Sequence, residues 1–293
     1  MAADLVDRAW PAGQAYAYPA HLRECAGELP EAPGVYVFHG EPEDQLPLYI
    51  GKSVRIRSRV LSHLRNPEEA ALLRQARRIS YTLTAGEVGA LLLEAQMIKQ
   101  LQPLHNRRLR ASRQLYGWRW IDAADAVDGV PRLELVHAGE LDFAHTPDLF
   151  GLYRSRQAAR GHLAELADQH GLCLQAIGVE AGRAGRPCFR HAIRRCAGAC
   201  AGVVSAQDHA QAWQMALASL RLRTWQFPSA VGLQERHGAM RQIHVVRDWC
   251  YLGSAGTLAA ARRLTRVPAR YDVDTYRILV GPLLDPEARL TPL

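Results

Sequence analysis

A single carboxylate, Glu94, falls in the middle of an apolar stripe at helical spacing: Ala90, Leu91, Met97 and Ile98 lie three or four positions from it and Leu101 seven. An ionised group there must be paired with an arginine, sit at the rim of the stripe, lose its charge, or hold a metal ion. The turn Tyr49-Ile50-Gly51-Lys52-Ser53 is the second such feature. A glycine at a strand-to-helix turn lets backbone come close, and the start of a helix favours anions. Lys52, Arg59 and His63 lie seven and then four residues apart, with Arg55 near the same stripe. Such a row is either a phosphate clamp or a solvated basic face. The third feature is Cys173, Cys188, Cys196 and Cys200, four of the six cysteines. Four thiolates suit tetrahedral zinc or an iron–sulfur cluster, and the spacing lacks the paired C-x2-C knuckles usual in structural zinc sites. Arg183, Arg186, Arg190, Arg194 and Arg195 thread this segment, with His191 as a further donor. A metal-pinned basic loop of this kind suits backbone phosphates. Cys25 and Cys250 read as solitary apolar residues.

The rest of the chain must position these groups. At 293 residues it is long enough for two domains, and 48% hydrophobic content is ample for a core. A net charge of +7 favours an anionic partner, nucleic acid ahead of a membrane surface. No run approaches the roughly 20 apolar residues of a membrane span. Nor does the N-terminus read as a signal peptide, so the chain is expected to be cytoplasmic. Six cysteines in that setting are thiols or metal ligands rather than a disulfide framework.

After a polar lead and a short helix near 19–27, the pattern predicts strands at 35–38 and 48–50 joined as an antiparallel hairpin. A helix capped by Ser53 follows, then a helix at 71–78, a strand at 79–83 and a long helix from Glu87 to Leu101 stopped by Pro103. The order β-β-α-α-β-α is a small α/β unit. Beyond Arg110, strands are predicted at 116–121 and 131–136 and helices at 155–170 and 205–223. The C-terminus reads as strands at 243–246, 249–252 and 276–280 around another helix.

Five ordered blocks carry a family resemblance: Leu29-Pro-Glu-Ala-Pro-Gly-Val-Tyr36, Leu48-Tyr-Ile-Gly-Lys-Ser53, Arg59, Leu91-Leu-Leu-Glu94-Ala-Gln-Met-Ile-Lys99 and Pro103-Leu-His-Asn106. Together they resemble the GIY-YIG nuclease family, and in particular the N-terminal half of UvrC-type repair proteins. The likeness continues through Phe150-Gly-Leu-Tyr153 and the cysteine segment. Length points to a short UvrC homologue without a second nuclease domain or a helix-hairpin-helix module. The implied fold is α/β (α+β): a nuclease domain with a central antiparallel sheet at 29–108, then a mixed α/β cysteine-containing region at 111–293.

The resemblance implies an endonuclease that hydrolyses one phosphodiester in excision repair, making one incision 3′ to a lesion. Glu94 would bind Mg²⁺ or Mn²⁺, Tyr49 would activate water, and Lys52 would assist it. Arg59 would stabilise the transition-state phosphate, while Tyr36, His63 and Asn106 order the site. Arg55, Arg57, Arg190, Arg194 and Arg195 would contact DNA. The four cysteines would hold a [4Fe-4S] cluster, with Zn²⁺ as the alternative. Its partners would be lesion-containing double-stranded DNA and a UvrB-type loading protein, with UvrA upstream, and no membrane. Three positions depart from the pattern. His63 and His105 stand where these relatives have tyrosine, and Gly89 where they often have an acid. His63 would make activity sensitive to pH at about 6.5, and Gly89 costs its helix about 1 kcal/mol. Two other readings are a sequence-reading mobile-element or restriction nuclease and a non-catalytic DNA-binding iron–sulfur protein.

Overall fold

β1 (Gly34–His39) is the middle of a three-stranded antiparallel sheet, flanked by β2 (Tyr49–Ser53) and β3 (Arg78–Leu83). Successive side chains of a strand point to opposite faces, so β1 needs two cores. Tyr36 and Phe38 pack with α1 (Ala20–Gly27), α2 (Ile56–Arg65) and α3 (Ala70–Gln75) through Leu22, Ile56, Val60, Leu64, Leu72 and Leu73. Val35, Val37 and Ile50 pack against Ile98, with Leu93 and Met97 beside it, on α4 (Glu87–Leu101). The computed structural model describes residues 20–106, 115–182, 186–266 and 271–293.

This unit has the expected element order, and α4 has the expected bounds. Two local expectations fail. Ser53 caps no helix: its hydroxyl accepts from Arg55 N–H at 2.9 Å, closing a turn before α2 begins at Ile56. The buried stripe of α4 runs through Ala90, Leu92, Ala95 and Ile98, while Leu91 is half-buried and Leu101 exposed. The face is rotated because the sheet, not the helix's own most apolar run, sets which residues are covered. Glu94 therefore stands at the margin of the apolar contact.

Two compact units emerge. One joins the described residues up to 106 with 229–266 and 274–293, and the other takes those between 115 and 228 with 271–273. The expected single region from 111 onward is thus divided. The domain junction at 107–114, the N-terminal lead at 1–19 and Arg183 lie outside the described residues. Within the first unit, the C-terminal segment builds a sheet in the order β10-β7-β8-β9 from β7 (Val231–His237), β8 (Met240–Arg247), β9 (Cys250–Ala255) and β10 (Leu290–Pro292). The helices α8 (Leu258–Leu264) and α9 (Val273–Leu284) accompany it. The strand expected at 276–280 is helical, because burial of Tyr276, Leu279 and Leu283 at helical spacing overrides the β-favouring run Tyr-Arg-Ile-Leu-Val.

This sheet clasps α4. Gly86 at the helix start has no side chain to cap with, and Glu235 of β7 supplies one, accepting from Val88 N–H at 2.9 Å and Gly89 N–H at 2.7 Å. His244 of β8 bonds the same carboxylate at 2.8 Å, and Gln242 accepts from Ala85 N–H at 2.8 Å. Near the other end of α4, Lys99 pairs with Asp274 at 3.5 Å. Gly89 now has a reason: a Cβ there would lie 2.8 Å from His244 Cε1. Its helix-propensity cost is offset by two strands packed against the first turn.

The second unit has a sheet of β5 (Arg132–His137), β4 (Tyr116–Ile121) and β6 (Leu149–Tyr153), with β4 central. The short α6 (Phe189–Ala192) lies between α5 (Arg156–His170) and α7 (Ala206–Leu217) in the chain, and α5 and α7 bury Ala159, Leu163, Trp213 and Leu217 on Trp118 and Phe150. No helix among the described residues is long and apolar enough to cross a membrane.

Candidate active site and cysteine cage

β2 is an edge strand, so its outward backbone groups need partners from elsewhere. Asn106 provides one pair, accepting from Ile50 N–H at 2.9 Å and donating to Ile50 C=O at 2.8 Å. Glu94 provides the next, accepting from Lys52 N–H at 3.1 Å. The strand edge thereby fixes the carboxylate two residues along from Asn106's contact and three from Tyr49. Glu94's other oxygen takes no hydrogen bond among the described residues. Burial raises its pKa, against the Lys52 N–H and the Lys52 and Arg59 charges that lower it. Asn106→Ala should lower stability by about 1–3 kcal/mol, since both Ile50 groups lose their partner; a melting curve unchanged from the parent would refute this.

Over the opposite face of the sheet lies an aromatic cluster. The rings of Tyr36 and Tyr49 are 6.3 Å apart, and each is 5.5 Å from His63. Tyr36 Oη contacts His63 Nε2 at 2.6 Å, and His63 Nδ1 contacts Glu69. Burial pushes the His63 pKa down against the pull of Glu69, which leaves a neutral ring that accepts from Tyr36 and donates to Glu69. His63 is buried, so it does not join a solvent-facing phosphate clamp as the sequence spacing implied. Its titration also moves below the expected value of about 6.5. Lys52 is on a strand rather than the helix, and its ammonium pairs with Glu87 at 2.7 Å. Exposed Arg59 is near enough to lower the pKa values of Tyr36, Tyr49 and Glu94, opposing the burial that raises all three.

Gly51 is dictated by the same packing. A Cβ there would meet Tyr36 Oη at 2.4 Å and Tyr49 Cε1 at 2.9 Å. Gly51→Ala should therefore displace both phenols, costing about 1–3 kcal/mol and nicking activity together. Full activity with an unshifted melting point would contradict that packing argument. Arg55 and Arg57 are exposed around the start of α2, as a DNA contact requires.

In the second unit, Cys173, Cys188, Cys196 and Cys200 bring their sulfurs within 4.8 Å of one another. Cys188 N–H donates to Cys200 Sγ at 3.2 Å and Gly198 N–H to Cys196 Sγ at 3.3 Å. Backbone donors aimed at sulfur are what thiolates need, so the donor set fits a metal centre. A tetrahedral ion with Zn–S bonds of about 2.3 Å sets its sulfurs about 3.8 Å apart, whereas a four-iron cube holds them wider. His191 lies outside the cage and bonds Cys196 C=O at 3.0 Å. Arg190 does not project as a free DNA contact: it pairs with Asp168 of α5 and bonds Ala164 C=O at 2.8 Å. Arg195 shares Asp168 at 3.1 Å but is largely exposed, as is Arg194. The acid balancing this segment comes from another helix, which linear inspection of the segment misses. Cys250 is buried as expected, while Cys25 is half-buried.

Three family models tile the chain: a UvrC-like GIY-YIG domain over residues 32–107, a UvrC/Cho excinuclease middle domain over 120–219, and an excinuclease Cho C-terminal domain over 230–293. Excinuclease Cho of Escherichia coli K12 is 49% identical over 278 residues, covering 95% of this chain and 91% of that protein. The chain belongs to the Cho/UvrC excinuclease family. Excinuclease Cho of Salmonella typhimurium is 48% identical over the same length. UvrABC system protein C of Haloarcula marismortui is 31% identical over 193 residues but covers 32% of that longer protein. The GIY-YIG N-terminal endonuclease domain of Thermotoga maritima UvrC, solved with magnesium, is 30% identical and matches 30% of this chain at a TM-score of 0.28.

As a Cho/UvrC family member the chain is an endonuclease of nucleotide excision repair, not a mobile-element or restriction nuclease. Sequence reasoning missed three acids around this excinuclease's site: Glu69 on His63, Glu87 on Lys52 and Glu235 on α4. Glu87 and Glu69 are ordinary helix-start acids in sequence, and Glu235 is 146 residues from Gly89, so only the fold shows what they touch.

Proposed function

We propose that this excinuclease makes a single, divalent-metal-dependent incision 3′ to a lesion in double-stranded DNA, working in the cytoplasm with a UvrB-type loading protein that acts after UvrA. The observation that carries the catalytic reading is the half-buried Glu94, fixed by Lys52 N–H, with its other oxygen open and its charge disfavoured by burial. A lone carboxylate with room for waters suits Mg²⁺ or Mn²⁺, which would supply Lewis-acid stabilisation of charge on the scissile phosphate.

The chain's own groups would do the rest. Tyr49 would accept the proton of the attacking water, a role that requires Arg59 to offset the burial holding its phenol protonated. Arg59, exposed and planar, would bind two oxygens of the transition-state phosphate. Tyr36 would be held by the neutral His63 ring, itself fixed by Glu69, so that it donates in a fixed direction. Asn106 would lock β2 and with it the Tyr49 to Lys52 frame. Lys52, restrained by Glu87, would orient water rather than bind phosphate directly. Arg55, Arg57, Arg194 and Arg195 would hold flanking backbone.

The four cysteines would hold a metal centre that pins this basic segment. The resemblance implies [4Fe-4S]; the close sulfur spacing favours a single Zn²⁺ in the cage as it stands, since a cube would have to open it. Anaerobic purification separates the two, because an iron–sulfur centre absorbs visible light with matching iron and sulfide, whereas zinc is colourless. A colourless protein without either metal would end the metal-centre reading. The functional test is nicking of a duplex with one defined lesion, with and without the loading proteins. One product mapped 3′ to the lesion and dependent on loading supports the proposal. A 5′ product, or equal cutting of undamaged DNA, would overturn it.

A further inference from the structure

Antiparallel neighbours directly opposite one another project to the same face a few ångströms apart, and like charges in that position repel. In the C-terminal sheet, Arg236 of β7 stands opposite Arg241 of β8, next to the hairpin tip. Both are exposed, and neither has an acidic partner among the described residues. They border a groove of about 900 Å³ with Arg289, Gln234, Gly256 and Thr257. Its one carboxylate, Glu235, is committed elsewhere: its oxygens accept from Val88 N–H, Gly89 N–H and His244. Gln242, which also lines the groove, is spent on Ala85 N–H. The groove thus sets three arginines against one carboxylate, which keeps its charge but has its oxygens turned to α4 and His244, so the lining stays net positive.

We propose that this groove is a second DNA contact, separate from the nuclease residues, in which Arg236, Arg241 and Arg289 bind consecutive backbone phosphates. Guanidinium forks match pairs of phosphate oxygens, and a bound anion converts the facing arginines from a repulsive pair into a clamp. A space this large is more than one free phosphate needs. DNA is favoured over an acidic protein segment because the same compact unit carries the nuclease residues. To that extent the inference rests on the proposed function.

The test uses the full chain carrying Glu94→Gln, so that cutting does not disturb binding, and follows a short fluorescent duplex across a salt series. Adding Arg236→Ala and Arg241→Ala is expected to weaken binding about tenfold and to flatten the log–log salt slope by about 2, as loss of two phosphate contacts requires. Arg236→Lys with Arg241→Lys should recover part of the affinity. In the otherwise native enzyme, the double alanine variant should lose nicking that higher DNA concentration recovers. Its melting point should hold or rise, since two like charges no longer face each other. Unchanged affinity and slope would overturn the proposal. DNA binding equal to the parent with lost response to the loading proteins would also overturn it, assigning the groove to a protein. A parent that binds DNA with the full slope yet never nicks would sink the catalytic reading and leave this groove standing.

Discussion

Glu94→Gln is expected to reduce nicking by on the order of 10³-fold while the protein remains folded and still binds DNA. The amide oxygen can still accept from Lys52 N–H, so the strand edge keeps its partner. What disappears is the negative charge that a divalent cation requires. A stability signature accompanies the loss. Burial raises the pKa of Glu94 above its unfolded value, so the folded state holds the extra proton and ionisation destabilises it. Without divalent ions the parent loses stability as pH rises from the unfolded carboxylate pKa through the raised folded one, and the glutamine variant is spared that loss. The variant should therefore melt higher than the metal-free parent at neutral pH, and the difference should close in acid. Mg²⁺ should raise the parent's melting temperature and leave the variant's unmoved. Equal nicking by the two proteins, or equal stabilisation by Mg²⁺, would remove Glu94 from the metal site.

Tyr49→Phe should cost about 10²- to 10⁴-fold in the chemical step, with DNA affinity and Mg²⁺ dependence kept. The ring keeps its contacts with Phe38 and His63, so only the hydroxyl, with its hydrogen bond to Tyr36, is lost. Burial and Glu94 raise the phenol's pKa and Arg59 lowers it. A base held above its ordinary range is ionised in only a small fraction of molecules near neutrality, so the parent's nicking rate should climb with pH from 7 to 9. The phenylalanine variant should lose that climb. If its rate follows the parent's pH profile, the proton leaves by another route.

How much of this was legible depended on whether a signal was local. The order of the nuclease elements, the bounds of α4 and the candidate residues Tyr49, Arg59, Glu94 and Asn106 could be picked out because turn chemistry, helical periodicity and ordered blocks all lie within short spans. The orientation of those residues could not. Glu94 sits at the margin of the apolar contact rather than in its middle, because the sheet chooses which face of α4 is covered. His63 looked like a phosphate ligand at its spacing from Arg59, but the pocket formed by Tyr36, Phe38 and Glu69 turns it inward. Arg190 looked free until α5 brought Asp168 to it. The β-favouring run at 276–280 became helix because Tyr276 found Trp249, with rings 5.2 Å apart. Each miss is a pairing across sequence distance that local propensity does not encode.

The carboxylate that finishes the first turn of α4 belongs to Glu235, and a ribosome adds it 146 residues after Gly89. A nascent chain therefore carries the candidate site residues Tyr49, Arg59 and Glu94 long before the first turn of α4 has its cap. Shortened products, whether from premature termination or from proteolysis ahead of β7, should fray at that turn and nick poorly. The order of synthesis thus leaves that turn without its cap until β7 has been made.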